Sequence, residues 1–475
     1  MKNKKKYLLK EVMSSKKIKI SVGVASAVII SVVIFTDFSM AGWNGLVQFF
    51  GRVSGASNVS QSILLDGRVY GVNADWNIKI NGIVGGETAW NGPHFIENKA
   101  SVPIKVTLET DPGSSGVVDR VWHDIQMSFG MKAENPSFVK GLDGAYWLFF
   151  SGGDCGVSDA GCAAPRGVFY SVSMDEGVTW SSPIAVKAAG APSGYGDISA
   201  VSAGGEIWIF ASKGSETGSV TYSRSLNNGA TWSAWVGVPG VSGKKISAVY
   251  ASDLMVLVYQ GGSGIYAVSS SNKGSSWSPY ITIDARGGSP DAAVGPDGIM
   301  RVVWDNDGRG IYLSYSEEDR FVTGSVWKTL AGPVAETPGI FDRDPSLLID
   351  GLGKYWLSYA SGDGVTDAVR YAVSEDGFDW SSPKILMKRS GARSVSPEVV
   401  EAGAGGVIVF FSSDNGFDAA VGSRNIWLAR TGSWNERNVP AVISIPGGAK
   451  IGADVSNVFS DRSGESVYSM TTKVR

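Results

Sequence analysis

The sequence has only two histidines, His94 and His123, and two cysteines, Cys155 and Cys162, among 475 residues. So few histidines exclude a metal site built from several imidazoles, and a Ser-His-Asp triad would have to use one of the two. The cysteines are seven positions apart, which is not a zinc-site spacing, and no second pair completes four ligands. We therefore predict no metal-binding residues of these types.

Charged residues are also scarce, at 18% of the chain, whereas there are 62 glycines and 16 tryptophans. The aromatic content excludes a disordered chain, and the composition excludes a long coiled coil. Many glycines and aromatics with few charges favour an all-β protein with many tight turns.

The formal charge of −3 is unevenly distributed, because residues 1–19 hold eight lysines and one glutamate. The rest of the chain is mildly acidic, which argues against nucleic acid as a partner.

Residues 1–42 have the pattern of an export signal. The lysines precede an uncharged run over 20–36, which is short for a membrane span, and Ser39 and Ala41 offer small residues for cleavage. A signal peptide and an uncleaved membrane anchor both fit this pattern. In both, the remaining chain is extracellular or at the cell surface, with any membrane contact through this segment.

Residues 43–118 alternate apolar and polar side chains in short segments, which predicts a small β-rich, sandwich-like domain.

From residue 119 the chain repeats. A strand of the form [Asn/Asp]-x-Ser-x-Val is found, with variations, in seven copies, which begin at Asn135, Asp197, Lys245, Pro290, Asp344, Ser396 and Asp454. Further strands follow most copies, and about four strands per 50 residues is typical of a β-propeller blade. We predict a propeller over 119–475, with seven blades or alternatively six. Terminal strands would close the ring, and residues 118–129 are the natural donor.

A turn of the form Ser-x-[Asp/Asn]-(x)-Gly-x-x-Trp follows the third strand in four copies. Asp or Asn accepts backbone hydrogen bonds, Gly supplies a positive φ, and Trp packs between sheets, so we predict a structural role. The residues are Ser173, Asp175, Gly177, Trp180, Ser225, Asn227, Gly229, Trp232, Ser270, Asn272, Gly274, Trp277, Ser374, Asp376, Gly377 and Trp380.

Acidic residues gather where the repeat strands begin, which in a propeller faces the central funnel. Asp197, Asp344 and Asp454 lie at that point, Glu398 two places further and Asp291 one place off. Glycoside cleavage needs one carboxylic acid to protonate the leaving oxygen and one carboxylate as base or nucleophile. Each Asp could equally cap backbone N–H groups.

Several polar, acidic loops would open on the same face, and a Cys155–Cys162 disulfide would stiffen the first of them. Such loops bind sugars or Ca²⁺ through oxygen ligands, or are solvated turns, so Ca²⁺ is a possible ligand and no other cofactor is expected. Tyr195 lies near the rim, where an aromatic ring stacks on a sugar or packs in the core.

The four turns resemble the Asp-box of the sialidase-like β-propeller superfamily. The stretch from Asp342 through Asp344 and Pro345 also resembles the inner strands of arabinanase- and fructosidase-type propeller glycosidases. In those families an Asp before Pro serves as base, which falls on Asp344, and a later Glu serves as acid, which falls on Glu398.

This chain lacks one motif that sialidases have. Sialidases carry Arg-Ile-Pro on the first inner strand, where this chain has Asn135 and Pro136, while Arg343 lies near another strand start and is a candidate for substrate binding.

Two functions are favoured, and a purely structural or assembly role is left open as a third. One is an exported glycoside hydrolase with Asp344, Glu398 and Asp197 as catalytic candidates and Asp454, Asp291, Arg343 and Tyr195 as substrate-binding candidates. The other is a non-catalytic surface propeller that binds glycans or proteins. In both we expect a monomer whose partner is a glycan or cell-surface carbohydrate.

Overall fold

The structure is a computed structural model of the whole chain. It describes strands between residues 63 and 126, most of 131–431, and strands between 441 and 474. The gaps after residue 131 are 154–166, 178–179, 189–195, 213–217, 308, 318–325, 389–391, 403–406 and 415–423. The predicted export signal lies outside the described residues. Among those described, no helix is long and apolar enough to cross a bilayer.

All regular elements among the described residues are β-strands, which confirms the all-β prediction. Six strands precede the repeats: β1 (Ile63–Leu65), β2 (Arg68–Val69), β3 (Trp76–Ile83), β4 (Thr88–Asn98), β5 (Ile104–Asp111) and β6 (Val118–Gln126).

Five four-stranded antiparallel sheets follow as consecutive blades. The first blade is β7 (Lys132–Lys140), β8 (Tyr146–Gly153), β9 (Gly167–Ser173) and β10 (Ile184–Ala185). The second is β11 (Asp197–Ala203), β12 (Glu206–Ser212), β13 (Ser219–Ser225) and β14 (Val236–Ser242). The third is β15 (Lys244–Ala251), β16 (Leu254–Gly261), β17 (Gly264–Ser270) and β18 (Ile281–Asp284). The fourth is β19 (Gly288–Val294), β20 (Met300–Asp305), β21 (Ile311–Ser316) and β22 (Trp327–Thr329). The fifth is β23 (Phe341–Ile349), β24 (Tyr355–Gly362), β25 (Asp367–Ser374) and β26 (Lys384–Met387).

The sixth blade takes its outer strand from the other end of the repeat region. It consists of β27 (Ser394–Glu401), β28 (Val407–Ser413), β29 (Asn425–Thr431) and, antiparallel to β29, strand β6. The first strand of each blade contacts that of the next, and β27 contacts β7. The ring therefore closes with six blades.

The prediction of seven blades is wrong, whereas the four-stranded propeller blade is confirmed. Three strands follow the sixth blade: β30 (Ala441–Ile445), β31 (Lys450–Phe459) and β32 (Tyr468–Val474). The seventh repeat copy lies in β31, which pairs with β4 and β6, while β3, β32, β5 and β30 form a separate sheet. A pentapeptide pattern specifies a strand but not its partner, so this copy pairs outside the ring.

The core lies between blades. The second strand of a blade is covered on both faces by its neighbours, so it is buried along nearly its whole length and mostly apolar, as in β8 and β12. Large side chains fill the spaces between blades, and Trp208, Trp304 and Trp427 are at most 1% exposed. This packing fixes the six innermost strands around a common axis.

Each predicted turn connects the third and fourth strands of its blade. In each, the Ser hydroxyl donates to the Asp or Asn oxygen at 2.8–3.0 Å and accepts the Gly N–H at 2.8–2.9 Å. Gly229 has a φ of 74°, and a Cβ added there would overlap the Trp147 ring of the preceding blade. The turns therefore position each blade against its neighbour.

Candidate functional site

The innermost strands of the six blades surround one cleft. It occupies about 490 Å³, including the part open to solvent. Two or three residues of each innermost strand line it, and we call the first of them on each strand the entrance ring: Asn135, Asp197, Lys245, Ser289, Asp344 and Ser396.

Five of the six entrance-ring residues, all except Asp197, have a φ between 46° and 54°, in the left-handed region that residues other than glycine rarely adopt. The pairing register with the second strand shifts at the same five strands. Such bulges turn a side chain out of the regular alternation, at a cost of about 1–3 kcal/mol for each strained residue. These side chains therefore line the cleft at a cost in folding stability.

A second layer lies two residues further along each strand, and we call it the hub ring. In every blade one side-chain oxygen of this layer accepts the backbone N–H of the next innermost strand at 2.7–3.1 Å. Four members are serines, and two carboxyls replace serine in the fourth and sixth blades. The members are Ser137, Ser199, Ser247, Asp291, Ser346 and Glu398.

Two of the acidic residues found in the sequence, Asp291 and Glu398, have a structural role in the hub ring. Asp291 Oδ2 accepts the N–H of Leu347, and Glu398 Oε1 accepts the N–H of Phe138 at 3.1 Å. The bond from Phe138 joins the sixth blade to the first. Asp291 and Glu398 also line the cleft, so each carboxyl serves the hub and faces the ligand space.

A lysine connects two acids across the entrance ring. Lys245 Nζ lies 2.9 Å from Asp344 Oδ1 and 3.7 Å from Asp197 Oδ1. Ser289 donates its hydroxyl to Asp344 at 3.1 Å, and the Lys245 N–H donates to Asp197 Oδ2 at 3.0 Å. Burial alone would raise the pKa of Asp344, but the Lys245 ammonium outweighs it and holds that pKa below its ordinary value. Asp344 is therefore ionised at neutral pH.

Glu398 has the opposite electrostatic environment. Burial, followed by the charge of Asp291, raises the pKa of Glu398 to about 8. Burial also raises the pKa of Asp291. Burial and the charge of Asp344 raise the pKa of Asp305, at the end of β20, to about 6. The cleft therefore combines an ionised carboxylate at Asp344 with a protonated carboxylic acid at Glu398.

A substitution of Lys245 tests its effect on the pKa of Asp344. Lys245→Met removes the ammonium that stabilises the charged form of Asp344, so we expect the pKa of Asp344 to rise. The acidic limb of any activity profile that depends on this carboxylate should move to higher pH, whereas Lys244→Met, on the same strand but outside the cleft, should not move it. Activity measured against pH checks this, and an unchanged limb in the Lys245 variant would contradict it.

Because the pKa of Glu398 is raised by folding, we expect the free energy of unfolding to depend on pH. Its pKa is about 8 in the folded chain and ordinarily 4.5, so the folded state holds this proton more tightly than the unfolded chain does. Its contribution to stability is complete below pH 4.5 and is lost as the pH rises through 8. We expect Glu398→Gln to reduce the fall in urea midpoint between pH 5 and 8.5. Glu401→Gln, an exposed change on the same strand, should leave that fall as it is in the unsubstituted chain.

Searches of known proteins give a fold but no family. No family model matches the chain, and no curated protein matches it. Among solved structures, one similar chain is the Hadza microbial sialidase Hz136, with a TM-score of 0.50 and 12% identity over 80% of this chain and 99% of that one. This chain has a sialidase-like β-propeller fold. A protein of unknown function from Dyadobacter fermentans is similar at a TM-score of 0.52, with 13% identity over 68% of this chain and 100% of that one.

The sialidase-like propeller keeps most predicted acids at one place. Asp197, Asp291, Asp344 and Glu398 all line the cleft, whereas Arg343 does not. Arg343 is bound to the fully buried Asp367, with Nη2 2.5 Å from Oδ2.

The remaining candidates lie elsewhere. Asp454 is on β31, outside the six blades, and its side chain is not among the described residues. Tyr195, Cys155 and Cys162 also lie outside the described residues, so the disulfide stays a prediction. In the described part of the chain, no three His, Cys, Asp or Glu side chains form a group that could hold a metal ion.

Five residues of the site were not predicted from the sequence: Lys245, Ser289, Ser396, Asn135 and Asp305. The first position of the repeat column contains three of them and would have identified Lys245 as the one cation there. Ser289 was hidden because the fourth copy was aligned from Pro290, one residue late. The fifth position of that copy is Ala293 instead of valine, and Val294, one place later, matched the pattern in its stead.

Proposed function

We propose that this chain is an exported glycoside hydrolase whose central funnel cleaves a glycan with Glu398 as acid and Asp344 as base or nucleophile. One observation carries the proposal: two carboxyls lining the same cleft have pKa values shifted in opposite directions. General acid and base catalysis on a glycosidic bond requires two carboxyls whose pKa values differ in this way, one protonated and one ionised.

The roles follow from the contacts of each group. Glu398 Oε1 accepts the Phe138 N–H, which leaves Oε2 to carry the proton that passes to the leaving oxygen as the C–O bond breaks. Asp344 either attacks the anomeric carbon or takes a proton from the attacking water. Lys245 keeps Asp344 ionised, and Asp197 holds Lys245 from its other side.

Export is part of the proposal and is supported by the lysine-rich start and the uncharged run over 20–36. The predicted disulfide would be compatible with that location.

Hydrolysis of chromogenic glycosides tests the catalytic proposal. The full chain should release chromophore from at least one member of a panel that covers common sugars in both anomeric forms. Release should be absent from the Asp344→Asn and Glu398→Gln variants when both are folded. Hydrolysis of no member, or equal hydrolysis by both variants, would contradict the assignment.

A non-catalytic glycan- or protein-binding propeller is the second candidate. It is favoured by the structural use of the same carboxyls, since Asp344 forms an ion pair and Glu398 closes the hub ring. A binding propeller would retain glycans on an array without turnover, and its binding would survive Glu398→Gln.

A further inference from the structure

We propose that the funnel accepts a sugar ring that is neutral or carries an amino group, and rejects sugars that carry a carboxylate. This inference rests on the proposed function because it assumes that the cleft holds a glycan. It concerns the charge of that glycan, which can be measured without any catalysis.

The charges that line the cleft have a negative excess. Lys245 is the one cation among the described residues that line it. Its ammonium is already paired with Asp344 at 2.9 Å and with Asp197 at 3.7 Å, so two carboxylates face one positive charge. Asp291 and Glu398 can add negative charge but no positive charge. An anionic ligand would therefore meet net repulsion in a partly desolvated space.

Three guanidinium groups that do not line the cleft are paired with other carboxylates, although the charge of Arg343 also helps to lower the pKa of Asp344. Arg343 and Arg393 both bind the buried carboxylate of Asp367, at 2.5 and 2.8 Å. Arg301 is 1% exposed and its Nη2 lies 2.8 Å from Asp297 Oδ2. Strong carboxylate recognition uses a guanidinium that offers two parallel N–H donors, and no described arginine lines this cleft.

The backbone N–H groups at the hub ring are not available to replace a guanidinium as donors to a ligand carboxylate. Six N–H groups that point between the innermost strands already donate to the hub ring. The entrance ring adds the carboxylates of Asp197 and Asp344, which only accept, the hydroxyls of Ser289 and Ser396, and the Asn135 amide, which already donates to the Gly196 carbonyl. Acceptors match the hydroxyl and ammonium donors of neutral and amino sugars.

Equilibrium binding of matched methyl glycosides to the full chain tests this inference. The probes are neutral hexosides and pentosides, methyl glucosaminide, methyl glucuronide and the methyl glycoside of sialic acid, measured by saturation-transfer NMR and calorimetry. We expect a neutral or amino glycoside to bind at least tenfold more tightly than either acidic one. Asp197→Asn removes one negative charge and should narrow that gap, whereas Asp253→Asn, on the exposed turn between β15 and β16, should not.

Two results would overturn the inference. One is an acidic glycoside that binds as tightly as its neutral counterpart and loses affinity in Lys245→Met. The other is the absence of binding by every probe, because the cleft would then not be a sugar site. Binding of neutral glycosides without hydrolysis would support the charge preference while contradicting the catalytic proposal, so the two failures are distinguishable.

Discussion

Asp344→Asn is expected to lower glycosidase activity by about 10³-fold, the typical contribution of a positioned acid or base, while the propeller stays folded. Asparagine keeps the size of the side chain and can still accept the Ser289 hydroxyl. It is also well tolerated at the positive φ of 50° that this residue adopts. The substitution therefore removes the negative charge and its ion pair with Lys245, which keeps Asp197 at 3.7 Å as a counter-charge. Initial rates on the best chromogenic glycoside measure the effect.

Asp253→Asn is the matched control for this experiment. Asp253 has a φ of 60° in an exposed turn, so the same chemical change is made in the same backbone conformation away from the cleft. Its activity should equal that of the unsubstituted chain. Retention of more than a tenth of the activity by Asp344→Asn would remove Asp344 from the mechanism.

Gly229→Ala is expected to destabilise the propeller by about 2–5 kcal/mol, the largest effect on folding that we predict. A positive φ costs a residue with a Cβ about 1–2 kcal/mol, and overpacking adds about 1–3 kcal/mol. The added methyl would overlap Trp147, which is 6% exposed and packs against Phe149 and Tyr170 of its own blade. The blade interface would have to open to admit it. Urea or guanidinium unfolding measures the change.

Gly240→Ala separates the cost of the positive φ from the cost of the overlap with Trp147. Gly240 has a φ of 73°, almost the same as Gly229, but a Cβ there meets no atom within 4 Å. We expect it to cost only the conformational part, about 1–2 kcal/mol. Equal losses of stability in the two variants would show that the contact with Trp147 does not tie the blades together.

The blade was predictable from the sequence, but the number of blades was not. Ser225, Asn227 and Gly229 specify their own turn through local hydrogen bonds, so the pattern alone identifies it. The pairing of β31 with β4 and β6 depends on edges that form only after the ring has closed, and no local pattern records them.

The site was predictable to a similar extent. The repeat column placed Asp344 and Asp197 at the funnel, because equivalent positions in successive blades face the same axis. It did not show that Lys245 of the third blade reaches Asp344 of the fifth, since that contact depends on how closely six strands approach around the hub. The dual position of Glu398 was equally hidden, because its hydrogen-bond partner Phe138 lies 260 residues away.

The proposed catalysis requires a protonated Glu398 and an ionised Asp344 in one cleft, and the titration of Glu398 tests this most directly. Glutamate labelled with ¹³C at its side-chain carboxyl can be followed by NMR from pH 4 to 9 in the full chain and in Glu398→Gln. We predict one carboxyl signal that titrates near pH 8 and is missing from the variant. Titration of every glutamate near its ordinary pKa, with no signal that disappears in the variant, would contradict the role of Glu398 as the acid.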